Sequence, residues 1–138
     1  MIRHPLHPAL VHFPLGLLLG ATLADLAALA GLWSEPRLAA VLIAAGLAGG
    51  VLAMAAGLYD FTRLDEAVVP HALRHIAAVG LAWIGYAVAL YLRRDAFAGA
   101  ETSTASAAAS IASAAVLSLG GFLGGELVYR HGAGRIAG

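Results

Sequence analysis

Four long apolar stretches, parted by short polar connections, take up nearly the whole chain. No soluble core could hide that much apolar surface. Of the 138 residues, 61% are hydrophobic and only 12% are charged, about half the charged share of a soluble domain. Lipid is the solvent such a chain requires. Each stretch is long enough to cross a bilayer core of about 30 Å at about 1.5 Å per helical residue. The expected fold is all-α: one four-helix up-and-down transmembrane bundle over residues 1–138, with helices at about 8–32, 37–60, 70–92 and 106–129.

Local signals agree with these limits. Pro8 and Pro70 suit first-turn positions, where a missing N–H costs nothing. Pro14 lies deeper and is expected to bend the first helix or loosen its first turns. Ser34-Glu35-Pro36 reads as a tight turn, and residues 96–106 as a loop. The apolar run after Val11 is too long for a cleaved leader, and histidine and proline interrupt its start. Met1 is therefore expected to remain, with the first helix as its own insertion signal.

Composition excludes several functions. The net charge is zero, so no nucleic-acid surface is expected, and the bilayer is the first partner. There is no cysteine, which removes disulfides, thiolate zinc sites, cysteine-held iron–sulfur clusters and attached c-type haem. No serine–histidine–acid spacing or phosphate loop is present, so no catalytic residue is assigned and an enzyme is not expected.

Antiparallel threading brings the polar residues together. Helix starts and ends alternate, so His4, His7 and His12 share a membrane face with Asp60 and Arg63, with His71, Arg74 and His75, and with Glu126, Arg130 and His131. All six histidines gather at that face. The other face receives Glu35, Arg37, Arg93, Arg94, Asp95 and Glu101. Five arginines fall on the histidine side (Arg3, Arg63, Arg74, Arg130, Arg135) and three on the other (Arg37, Arg93, Arg94). The positive-inside rule then places the histidines and both termini in the cytoplasm, with the protein in the bacterial inner membrane. Asp25 stands apart, an ionisable group well inside a span. Its structural alternatives are a bond to Thr22, a bond to an arginine of the far loops, or protonation.

These residues also carry a resemblance. His7-Pro8-x-x-Val11-His12-Phe13-Pro14-x-Gly16, Gly57-x-x-Asp60, His75 and Leu123-Gly124-Gly125-Glu126-Leu127-Val128-Tyr129-Arg130-His131-Gly132 resemble the uncharacterised bacterial membrane family known as domain of unknown function 2231. The resemblance covers nearly the whole chain and implies a four-helix membrane domain. Some members are joined to Rieske-type or cytochrome c-type modules, which implies a link to electron transfer.

Three chemistries fit the histidines. The first is haem b held by His12 and His75, which stand at similar depths past Pro8 and Pro70 on different helices. Gly16, Gly57, Gly124 and Gly125 would make room, and Arg74 or Arg130 would pair with the propionates. The second is a transition-metal site from His7, His12, His71 and His75, completed or oriented by Asp60 or Glu126. The third binds no cofactor: a hydrogen-bonded polar plug in which Glu126 bonds Arg130. The expected function is a redox-associated subunit. The alternative is a non-catalytic accessory or assembly subunit of a larger membrane complex, and a proton or metal transporter ranks third. A redox partner or a homo-oligomer is compatible with all of these.

Overall fold

The computed structural model describes residues 6–132 and forms four long helices: α1 (Leu6–Leu29), α2 (Pro36–Phe61), α3 (Val69–Leu92) and α4 (Thr104–Tyr129). The architecture is an all-α four-helix bundle, with no strand among the described residues. Each helix is long and apolar enough to cross a membrane. The protein is thus a multi-pass membrane protein in a lipid environment. Met1, Arg3, His4 and Arg135 lie outside the described residues.

Helix ends depart from expectation for local reasons. α1 stops at Leu29 because Gly31 takes a left-handed φ of 69°. The N–H groups of Gly31 and Leu32 then close back on the carbonyls of Ala28 and Ala27. α4 begins at Thr104 because the Ser103 hydroxyl accepts from the N–H of Ser106 and caps it. The expected loop after α3 contains a short 3-10 helix, Arg94–Ala98, ended by Gly99 at φ 91°. α1 runs through Pro14 as one helix.

The packing suits lipid. Leu23, Leu52, Leu81 and Phe122 are exposed along the outside, where acyl chains would meet them. Trp33, Tyr59, Tyr91 and Tyr129 are exposed near helix ends, the usual place for interfacial aromatics. The interior is mostly alanine, with Leu18, Ile43, Leu47, Tyr86 and Leu117 as its larger members. In lipid no hydrophobic force separates helix–helix from helix–lipid contact, so small residues win by letting backbones approach.

The bundle is two copies of one hairpin. α1 packs mainly on α2 and α3 mainly on α4, and the two hairpins meet along a lighter seam. Buried positions recur between the copies: Pro14, Leu18, Ala21 and Asp25 of the first match Ala82, Tyr86, Ala89 and Arg93 of the second. Each pair is 68 residues apart, as Asp25 and Arg93 are. In α2 the inward positions include Ala39, Ala40, Ile43, Gly46, Gly50 and Ala53, and in α4 Ser106, Ala107, Ser110, Ser113, Leu117 and Gly120. These pair at an interval one residue shorter. Contacts repeat as well: a Cβ on Gly46 would meet Leu17 Cβ at 3.4 Å, and in the second copy Gly85, the position matching Leu17, faces Ser113, the position matching Gly46. Successive helices alternate direction, so the axis relating the hairpins runs along the bundle, a parallel repeat.

The close approaches make a test. A Cβ on Gly120 would stand 2.8 Å from Val79 Cγ2 and 3.4 Å from the Val79 backbone nitrogen, whereas at Gly80 it meets nothing within 4 Å. Gly120→Ala should lower stability by about 1–3 kcal/mol through overpacking. Gly80→Ala should stay within about 0.5 kcal/mol of the parent or stabilise it. Unfolding in mixed micelles measures both.

Candidate functional site

Polar groups line the seam at both its ends. At one end, His7 of α1 and His75 of α3 face each other across it, with ring centroids 6.3 Å apart and planes crossed at 81°. Each ring is fixed by its own hairpin. His7 Nδ1 lies 2.7 Å from the carbonyl oxygen of Ala53, 46 residues on. His75 Nδ1 lies 2.8 Å from that of Gly120, 45 residues on. A carbonyl only accepts, so each Nδ1 carries the proton and each Nε2 keeps its lone pair.

Glycine makes both recesses. A Cβ on Gly57 would stand 2.9 Å from His7 Nδ1, and one on Gly124 would stand 3.0 Å from His75 Cε1. Gly16 and Gly125, also expected to make room, meet nothing within 4 Å and open no recess for a ring.

His12 does not join this pair. It follows His7 by five residues, and about 100° per residue leaves the two side chains roughly 140° apart around the helix. With His7 turned into the seam, His12 is exposed on the outside of α1. The pairing expected of His12 with His75 is therefore made by His7. His71 lies one turn before His75 and stacks on His131, centroids 4.0 Å apart and planes tilted by 34°. His71 Nδ1 is buried with no partner among the described residues. Arg130 bonds Glu126 at 2.7 Å, one turn back on α4, and Arg130 is exposed, as expected of the polar plug. Arg74 is exposed and Asp60 partly buried. No three His, Asp or Glu residues among those described are placed to share one metal ion. The expected four-histidine shell is thus divided: His7 meets His75, His71 meets His131, and His12 faces outward.

The other end of the seam is clasped. Arg93 Nη1 and Nη2 donate to Asp25 Oδ1 and Oδ2 at 2.9 and 2.8 Å, a forked pair with side chains 0% and 2% exposed. Arg93 Nε donates to the Ser106 hydroxyl at 2.8 Å, and that hydroxyl donates to the Ala89 carbonyl at 2.8 Å. Both charges are thereby paired and bonded, the condition for ions inside a membrane. One turn deeper, Thr22 shares hydrogen bonds with Tyr86 at 2.8 Å and Ser110 at 3.0 Å. Trp83 Nε1 donates to the Leu47 carbonyl at 3.2 Å. All these bonds except the Ser106 pair join one hairpin to the other.

Sequence reading placed Asp25 and offered an arginine of the far loops as a partner. It did not select Arg93, nor foresee Tyr86, Ser110 or the His7–His75 pairing. The missing signal was the repeat interval. It joins His7 to His75 and Asp25 to Arg93, although few other residues are identical between the copies.

Residues 3–137 match the family model described as predicted membrane protein (DUF2231). The chain belongs to that family. No curated protein and no solved structure matches it.

The clasp has a measurable signature. Asp25→Ala should cost about 3–5 kcal/mol, because it strands a buried guanidinium. The double change Asp25→Leu with Arg93→Met should cost much less, or stabilise, since neither charge remains. Thermal unfolding in detergent, followed by circular dichroism, ranks the two.

Proposed function

We propose that this member of the family is a small redox-associated membrane subunit that binds haem b through His7 and His75. The observation that carries this reading is the separation of the facing rings. Two imidazoles on opposite sides of one ion, each nitrogen about 2.0–2.1 Å from it, set their centroids roughly 6 Å apart. Adjacent ligands of a tetrahedral ion would bring the centroids to roughly 5 Å by the same bond lengths. The observed 6.3 Å fits His7 and His75 as the residues that would hold a haem iron between them.

The surrounding groups support the same reading. A ligating histidine ordinarily donates its other N–H to a carbonyl or carboxylate, which fixes the ring and strengthens it as a ligand. Ala53 and Gly120 serve His7 and His75 in this way. Because the hairpins are copies, the two ligands are equivalent and belong at the same depth. Haem bound there supplies one-electron transfer. Arg74 and Arg130, exposed on this side, are the residues to pair with its propionates. The five-to-three arginine bias supports a histidine end on the cytoplasmic side of a bacterial inner membrane.

A spectrum of detergent-purified protein tests this directly. A Soret band that shifts on dithionite reduction is expected. His7→Ala and His75→Ala should each abolish the parent bis-imidazole spectrum, and His12→Ala should leave it unchanged. Bound metal by elemental analysis without a Soret band would replace haem by a bare ion. Neither signal, with co-purifying subunits, would replace both by the accessory role.

A further inference from the structure

The two hairpins differ most at their turns. After Arg93 the second copy continues into the short 3-10 helix Arg94–Ala98, which packs on α2 and buries Ala96. After Asp25 the first copy has no such helix: α1 ends at Leu29 and the chain turns at Gly31. Where the first copy lacks this filling, a cavity of about 240 Å³ opens. One water occupies about 30 Å³ in the liquid, so the space holds several.

The lining is mixed, and its ionisable groups are of one sign. Asp25 sits in it, Ser34, Glu101 and Thr102 contribute from the two connectors, and Ala28, Leu29 and Ala107 form apolar wall. Its two ionisable groups are both carboxylates. Arg93 is outside the lining, bonded to the Asp25 carboxylate. Glu35, Arg37, Arg94 and Asp95 are exposed nearby on the same side and are not part of the wall. A cleft with walls of one sign concentrates ions of the other.

We infer that this cavity is an aqueous vestibule on the membrane face opposite the histidines, in which the exposed Glu101 carboxylate favours small cations over anions beside the paired Asp25. It rests on the connector geometry and not on what His7 and His75 bind. Two polar sites then open on opposite faces, with the Thr22–Tyr86–Ser110 hydroxyls on the inner side of Asp25.

The chain has no cysteine, so a single introduced thiol reports local access. Ala28→Cys lies within the wall, Ser34→Cys at the connector, and Val88→Cys outside on the lipid face. Each is treated with a cationic and an anionic methanethiosulfonate reagent of similar size. Ala28→Cys should react, and about tenfold faster with the cation, the size of effect expected from a partly screened carboxylate nearby. Adding Glu101→Gln should reduce that ratio while the folded state is retained, and Val88→Cys should stay unreactive. Equal rates for both reagents at Ala28→Cys would overturn the cation preference. No reaction there, with Ser34→Cys reactive, would show the cavity sealed from water and overturn the proposal.

Discussion

The forked ion pair between Asp25 and Arg93 is the constraint on which the arrangement of the bundle depends. Both charges are buried, and both come from equivalent places in the two hairpins. Identical hairpins would set Asp against Asp or Arg against Arg across the axis, at prohibitive cost in a low dielectric. Opposite charges make the first hairpin a partner for the second and not for a copy of itself. In lipid, where alanine packing is weakly selective, a polar contact of this kind fixes register.

That clasp leaves the other end of the seam with a different character. Near the clasp, side chains bond across from hairpin to hairpin. At the histidine end, His7 and His75 each bond within their own hairpin through Nδ1, which leaves each Nε2 as an acceptor. The two ring nitrogens left over are therefore both acceptors, and neither can bond the other. The two ends of the seam thus differ in kind: one is closed by side-chain bonds between the hairpins, and the other brings two ring acceptors face to face.

How much of this was readable from the chain differs by level. Apolar length and turn residues placed four helices within two or three residues, and alternation of direction gathered the histidines at one end. Arg93 was read as an ordinary charge at a helix end, because nothing local distinguishes it from Arg94. Only the fold turns one guanidinium inward and leaves the next exposed. The prolines set the depth of His12 along α1 but say nothing of its rotation about the helix. Rotation decides which side chain enters the seam. Gly57 and Gly124 were recognised as space for rings, since a glycine needs no partner to reveal that it lacks a side chain.

If equivalent positions of the two like hairpins meet across one axis, the two charges should be exchangeable. Asp25→Arg alone and Arg93→Asp alone each place like charges in the seam and should prevent stable folding. Carrying both changes should restore most of the parent stability in detergent. Full recovery is not expected, because the position matching Ser106 is Ala39, which offers no hydroxyl to the relocated guanidinium. A doubly exchanged protein no more stable than either single variant would contradict the account.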